Sequence, residues 1–269
     1  MSYLTILRPV NCLFTLLCAF AGAFYHASAI VFSPALAAAL SAGFIAASGY
    51  VINDVFDVDI DRINRPGRPL PAGRISLNAA TRYALLLAVA GLISAAFTRQ
   101  WYCMAIAVFN SLLLYAYARW LKAAPLIGNL VVAYAAASVF VFGGLANHNL
   151  IPSLGFSYFA FFYTLVRELV KDAQDIEGDT ALHARTLAIL IGEKPTLILA
   201  MLPALAIIAG PWFVPLKPTA TLLIIGLTGI PPVLALLLLL RHNTKKTFAF
   251  ISTFLKFEMF LVLILVWIG

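Results

Sequence analysis

Apolar residues run along this chain in long, almost unbroken stretches, and polar residues collect in the short joints between them. The stretches are rich in Leu, Ala, Val, Ile and Phe and do not alternate with polar positions, which predicts helices and not barrel strands. Breaks in hydropathy predict about nine helices, at 9–29, 34–56, 79–97, 101–119, 126–146, 154–173, 186–208, 218–240 and 248–268. Each is near the ~20 residues a bilayer requires. Helix-breaking residues sit at the joints, among them Pro34, Pro66, Pro69, Pro71, Pro125, Pro152, Gly192 and Pro195, and Pro211, Pro215 and Pro218.

Composition turns these helices into membrane spans. Hydrophobic residues make up 63% of the 269 positions and charged residues 11%, and the mean hydropathy is +0.98. No water-facing exterior can be built from that mixture, so the expected class is an all-α integral membrane protein, one domain over 1–269. One basic residue, Arg8, precedes the first apolar run and no small-residue cleavage site follows it, so that run reads as a span and not a removable signal. Cys12, Cys18 and Cys103 lie in apolar sequence without metal-ligand spacing and read as buried thiols.

Charge then orients the spans. Basic residues crowd alternate joints: Arg62, Arg65, Arg68 and Arg74 after the second span, Arg119 and Lys122 after the fourth, Lys171, Arg185 and Lys194 around the sixth, and Arg241, Lys245 and Lys246 after the eighth. Only Arg99 and Lys217 mark the joints after spans three and seven. The positive-inside rule makes the crowded joints cytoplasmic, with the N-terminus inside and the C-terminus outside. The net charge of +7 is thus largely topological and predicts no nucleic-acid partner.

Nine of the eleven acidic residues fall in two short stretches, 54–61 and 168–179. Asp54, Asp57 and Asp61 repeat the i, i+3, i+7 spacing of Asp172, Asp175 and Asp179, and on a helix that spacing puts three carboxylates on one face. Asn53 joins Asp57 and Asp61 at i, i+4, i+8 and adds a neutral oxygen ligand. Like charges beside apolar sequence need a cation, and an oxygen-only set points to a hard ion such as Mg²⁺. Two such sets facing each other would hold a diphosphate between metal ions. A solvated helix end tempered by Arg62 and Arg65 is the alternative for one set alone. Recurrence of the spacing from Asp54 to Asp172 favours a shared site and leaves internal duplication open. Asp59 and Glu177 point off the shared face.

The basic residues have two candidate uses. Arg62, Arg68, Arg74, Lys122 and Lys171 are placed to clamp a diphosphate, whereas topology and anionic lipid account for the others, Lys245 and Lys246 included. The segment 65–74 holds three prolines and two glycines, so it cannot be regular helix and is either a connecting loop or a lid. Tyr115, Tyr117, Tyr134 and Tyr163 are candidate π-faces for a carbocation, with packing as the alternative. Trp101, Trp120 and Trp267 fit interfacial belts, and the four histidines form no ligand pair.

Asn53-Asp54-Val55-Phe56-Asp57-Val58-Asp59-Ile60-Asp61, followed by Arg62-Ile63-Asn64-Arg65-Pro66 and Arg68-Pro69-Leu70-Pro71-Ala72-Gly73-Arg74, resembles the first motif of UbiA-type intramembrane prenyltransferases. Arg167-Glu168-Leu169-Val170-Lys171-Asp172 through Gly178-Asp179, with Thr186-Leu187 and Ile191-Gly192, resembles the second. Arg8-Pro9-Val10-Asn11, and Lys122 with Gly128-Asn129, fit the same family, while the last two spans carry no distinctive motif.

The resemblance implies nine transmembrane helices around a central cavity open laterally to lipid, with the active site on the cytoplasmic face, in the cell membrane if the source is prokaryotic. It implies Mg²⁺ as cofactor, with Asn53, Asp54, Asp57 and Asp61 as metal residues of the first motif, Asp54 at its acidic second position, and Asp172, Asp175 and Asp179 as those of the second. Lys122, Arg68 and Lys171 would act on the diphosphate, and Arg62, Arg74, Asn11, Tyr115 and Asn129 would line the substrates. The partners are an isoprenyl diphosphate, a lipophilic acceptor and membrane lipid; oligomeric state is not legible. Within the family, the Arg-Pro-rich segment and the Arg-Glu-x-x-Lys-Asp form resemble the digeranylgeranylglyceryl phosphate synthase group, although Val55 stands where an aromatic often follows Asn-Asp. That favours geranylgeranyl transfer to geranylgeranylglyceryl phosphate, with a quinone precursor or chlorophyllide-like acceptor as the alternative. A cation or proton transporter is the rival outside the class, but transporters hold their acids near mid-membrane on broken helices.

Overall fold

A computed structural model describes residues 2–27, 29, 31–181, 186–214 and 218–268, apart from the side chains of 177–181 and 220. The regular elements among these residues are helices, with no strand among them. In chain order the helices are α1 (Ser2–Ile6), α2 (Pro9–Phe24), α3 (Phe32–Phe56), α4 (Val58–Asn64), α5 (Leu77–Ala96), α6 (Trp101–Arg119), α7 (Ile127–Ala146), α8 (Leu150–Ala181), α9 (Leu187–Ile191), α10 (Glu193–Ala209), α11 (Pro218–Leu223), α12 (Ile230–Arg241) and α13 (Lys245–Ile268). Among the described residues eight helical stretches are long and apolar enough to cross a membrane. The first apolar run forms the shorter α2, 16 residues or about 24 Å, against a hydrocarbon core of roughly 30 Å. It stops at Phe24 because His26 turns left-handed (φ 50°), ending a run that hydropathy alone carries on to 29.

The chain forms two compact units, Met1–Leu121 with Val139–Ser153, and Lys122–Ser138 with Leu154–Gly269. In the first unit α3 is the central helix, packed against α2, α5 and α6. Its buried positions are mostly small, including Ala35, Ala38, Ala39, Ser41, Ala42 and Gly43, and small residues let neighbouring backbones approach. The approach is closest where α2 meets the end of α7: a Cβ on Gly22 would lie 2.0 Å from the Phe140 carbonyl oxygen, and one on Gly143 1.9 Å from that of Ala19. Asn147 and Asn149 then tie the neighbouring turn. Asn147 Nδ2 donates to the Ala23 carbonyl at 2.8 Å, and Asn149 Nδ2 to that of Tyr25 at 2.6 Å.

A second core in this unit gathers Ile6, Val51, Ile52, Val58, Leu70, Ile75, Ala80, Ala84, Leu87 and Ala118. Leu70 lies in the Pro/Gly-rich segment and Ile75 directly after it, so the segment is pinned onto α3 and α5 although it is not helical. All three cysteines are free; Cys18 and Cys103 are buried and Cys12 is partly so.

In the second unit α10 packs against α12 and the π-turn Ile224–Gly229 that leads into it, and α13 packs against the same turn. Pro231 and Pro232 explain the wide turn, because neither has the N–H that a regular helix would return to Leu227 and Thr228. The Tyr163 hydroxyl donates to the Thr228 carbonyl and so supplies one missing partner. The predicted span 186–208 is split at Gly192 (φ 90°), a conformation that a residue with a Cβ rarely adopts, into α9 and α10. The predicted span 154–173 runs on as α8 to Ala181, because helical hydrogen bonding continues where hydropathy stops.

Candidate active site

Asn53 lies about 21 residues into α3 and Asp172 about 22 into α8, so at 1.5 Å per residue each sits roughly 31–33 Å from its helix start. That is about the full hydrocarbon thickness. Each acidic motif thus lies at the end of a long apolar helix and not at its middle.

In the first unit α3 ends at Phe56, Asp57 takes φ −92° and ψ 3°, and α4 resumes at Val58. The nick is shallow, since the Asp57 N–H still reaches the Asn53 carbonyl at 2.9 Å and the Asp61 N–H that of Asp57 at 2.8 Å. The shared helical face predicted from spacing therefore survives the break. Asn53 Nδ2 donates to Asp57 Oδ2 at 2.7 Å, which turns the amide oxygen away from that contact. With 3.6 residues per turn, Asp54 and Asp61 lie only about 20° apart around the helix, Asp57 about 40° from Asp61, and Asn53 about 100° from Asp54. The motif accordingly presents two edges, Asn53 with Asp57 and Asp54 with Asp61.

The second edge carries arginines. Asp54 and Asp61 are both buried. Arg68 Nη1 donates to Asp61 Oδ2 at 2.6 Å and to Asp54 Oδ1 at 3.3 Å, and Arg8 Nη2 donates to the same Asp54 oxygen at 2.6 Å. The Arg8 guanidinium also lies over the Tyr50 ring, 5.0 Å from its centroid. Nothing in the composition or spacing marked Arg8 as more than a topology signal and a family match. Arg62 is exposed and pairs with Asp59 at 2.6 Å. Arg74 donates to the Gly67 carbonyl and closes the loop on itself. Asn11 is exposed. Tyr115 is also exposed and packs edge-on to Phe56 and Trp120.

In the second unit the motif stays on one unbroken helix. Asn129, buried near the start of α7, donates its Nδ2 to Asp172 Oδ2 at 2.9 Å. The turn before α7 places it there: Leu126 is left-handed (φ 63°), and the Gly128 N–H reaches the Ala124 carbonyl at 3.1 Å. Lys122 sits half-buried in the 3₁₀ turn Leu121–Ala123. Lys171 and Asp175 are exposed, and Arg167 pairs with Glu168. The Asp179 side chain lies outside the described residues.

One acid escaped sequence reading. Glu258 is buried in α13 with a carboxylate oxygen 3.5 Å from the Tyr163 hydroxyl. A lone acid, two residues after Lys256 in a largely apolar final span, was the available signal. Tyr163 is fully buried by these partners.

Among the described residues no three His, Cys, Asp or Glu side chains gather closely enough to enclose a metal ion. The donors are nonetheless hard oxygens steadied by side-chain amides. Such a set suits Mg²⁺, which takes one or two carboxylates and completes its shell with substrate phosphate and water.

The model of the UbiA prenyltransferase family matches residues 13–264. The chain belongs to that family. Among its UbiA relatives, the digeranylgeranylglyceryl phosphate synthase of Methanoculleus marisnigri is 44% identical over 210 residues, covering 77% of this chain and 75% of that protein. The synthase of the same name from Sulfolobus acidocaldarius is 37% identical over 254 residues, 91% and 89% of the two chains. A solved structure concerning digeranylgeranylglyceryl phosphate synthase in membranes superposes with a TM-score of 0.86 at 34% identity, covering 100% of this chain and 97% of that one. A UbiA homologue from Archaeoglobus fulgidus, solved with DMAPP and Mg²⁺, has a TM-score of 0.74 at 22% identity over 98% and 99% of the two chains, and shares the fold. Family membership makes the chain a prenyltransferase in an integral membrane scaffold and removes the transporter reading.

Proposed function

We propose that this prenyltransferase moves a geranylgeranyl group from its diphosphate to the hydroxyl of geranylgeranylglyceryl phosphate. The donor loses its C1–oxygen bond and the electron pair leaves with the diphosphate. The acceptor oxygen bonds to C1 and gives up its proton. One observation carries the chemistry: each acidic motif ends an apolar helix and has a carboxylate held by a side-chain amide, Asn53 on Asp57 and Asn129 on Asp172. The choice of acceptor rests on likeness to the archaeal synthases at 37–44% identity.

In this reading Asn53, Asp57 and Asp61 with Asp172, Asp175 and Asp179 serve one diphosphate. Mg²⁺ held by these oxygens would offset the negative charge that gathers on the diphosphate as it departs. Arg68, Lys122 and Lys171 hold the diphosphate oxygens, and Arg62, Arg74, Asn11 and Tyr115 line the approach. The long apolar helices keep water from the allylic cation. The finer topology is nine spans, with α2 as the short first one, the N-terminus and the active site cytoplasmic, and one catalytic domain over 1–269. The alternation of basic joints supports this orientation.

Purified protein given geranylgeranyl diphosphate, Mg²⁺ and a panel of acceptors tests the assignment by mass spectrometry. The expected product is digeranylgeranylglyceryl phosphate, with diphosphate release that needs both protein and Mg²⁺. A product formed only on an aromatic or chlorophyllide-like acceptor would overturn the acceptor; no prenyl transfer to any of them would overturn the reaction.

A further inference from the structure

We propose that Arg8 and Asp54 form a positioning pair that aims Arg68 at the diphosphate, and that Asp54 is not part of the metal shell. The inference rests on the diphosphate reading above. Its starting point is the double use of one oxygen: Asp54 Oδ1 accepts from Arg8 Nη2 at 2.6 Å and from Arg68 Nη1 at 3.3 Å. The Asp54 side chain is 6% exposed and stands between two guanidinium groups. A carboxylate so surrounded is already neutralised, and it lies about 100° around the helix from the Asn53 edge.

Arg68 is the residue whose freedom this pair limits. It comes from a non-helical segment, and a long side chain on such a segment would sample many rotamers. Arg68 Nη1 makes both side-chain ion pairs, to Asp54 at 3.3 Å and to Asp61 at 2.6 Å. A planar guanidinium held at one nitrogen by two carboxylates has the direction of the rest of its fork fixed. Arg8 holds Asp54 in turn. Its guanidinium is stacked on Tyr50, and its backbone is left-handed (φ 54°, ψ 65°) just ahead of Pro9 at the start of α2. A non-glycine residue keeps that conformation only where its surroundings over-determine it. Two guanidinium groups meet Asp54 and one meets Asp61, so Asp54 is the acid whose charge is more completely offset, and an arriving diphosphate meets an arginine already in place.

Pairwise removal separates a positioning role from an independent one. The measurements are kcat/KM for geranylgeranyl diphosphate, the Kd of its thiodiphosphate analogue with Mg²⁺, the Mg²⁺ half-saturation, and Tm as a folding control. Arg68→Ala should lower kcat/KM by roughly ten- to a hundredfold and Arg8→Ala by about tenfold, with matching losses in analogue affinity. The double variant should be no worse than Arg68→Ala alone within about twofold, because Arg8 acts through Arg68. Arg8→Lys should recover part of the loss, and it carries the cycle if Arg8→Ala does not fold. Asp54→Asn should resemble Arg8→Ala with Mg²⁺ half-saturation within about twofold of wild type, whereas Asp57→Asn should shift it. Multiplying losses in the double variant, or an Mg²⁺ shift in Asp54→Asn as large as in Asp57→Asn, would overturn the proposal. Failure of the wild-type protein to bind the analogue would overturn the diphosphate reading instead.

Discussion

Replacing Asn129 with alanine removes the hydrogen bond to Asp172 and little else from the second motif. The amide nitrogen stands 2.9 Å from a carboxylate oxygen, and Asn129 itself is buried. A hydrogen bond to a charged group is worth about 1.5–3 kcal/mol, and Asp172 is only half-buried, so the lower part of that range, about 1.5–2 kcal/mol, applies. At about 1.36 kcal/mol per decade, kcat/KM should fall roughly ten- to thirtyfold. The Mg²⁺ half-saturation should rise, since an unsteadied carboxylate pays more ordering entropy on binding an ion. Asn129→Asp nearly keeps the volume but sets a second negative charge against Asp172, and should cost more than the alanine. The assay is steady-state geranylgeranyl transfer at graded Mg²⁺ with Tm measured alongside. An alanine variant within twofold of wild type at limiting Mg²⁺ would refute the idea that Asn129 holds Asp172 for a metal ion.

Asp57→Asn and Asp175→Asn should each abolish turnover while leaving the protein folded, because a neutral amide cannot replace an ionic ligand; near-normal activity at limiting Mg²⁺ in either would show the ligand assignment to be wrong. Lys122→Ala should lower kcat/KM about ten- to a hundredfold through loss of a charge-assisted contact, while neutralising Lys245 and Lys246 together should leave turnover within about twofold. Equal losses from the two changes would remove the distinction between clamp and topology residues. Gly22→Ala should lower Tm or prevent folding, since its Cβ would come 2.0 Å from the Phe140 carbonyl oxygen in backbone that cannot yield cheaply; an unchanged Tm would contradict the close approach of α2 and α7.

The spans were legible because hydropathy records what lipid demands. The predicted 101–119 is Trp101–Arg119, and 126–146 falls within one residue of Ile127–Ala146. Where the prediction strayed, backbone geometry decided and not hydropathy. The left-handed His26 shortens α2, Gly192 divides the seventh predicted span, and α8 continues through a polar motif where hydropathy falls away. The π-turn before Pro231 and Pro232 follows from missing donors, yet its repair by Tyr163 depends on a helix some sixty residues earlier in the chain, which no local pattern encodes.

The candidate site divides along a similar line. Acids could be read from sequence because a repeated like-charge spacing beside apolar runs is costly and has few structural uses. Which partner meets which acid could not, although Arg68, Asn53 and Asn129 were themselves candidates. A membrane protein needs arginine and lysine at alternate joints whatever it catalyses, so Arg8 and Arg68 carry the same topological signature as Lys245 and Lys246. Amides are quieter still, since Asn129 and Asn53 are neutral and differ from loop-capping residues such as Asn147 only in what they touch. For the arginines, what separates a holding residue from a bystander is the depth of burial of the acid it meets. Asp54 and Asp61 are buried and each meets Arg68, whereas Asp59, also in the first motif, is exposed and meets only the equally exposed Arg62. Since exposed pairs are worth about 0–1 kcal/mol and breaking a buried pair costs several times that, loss of Arg8 or Arg68 should cost this protein more than loss of Arg62.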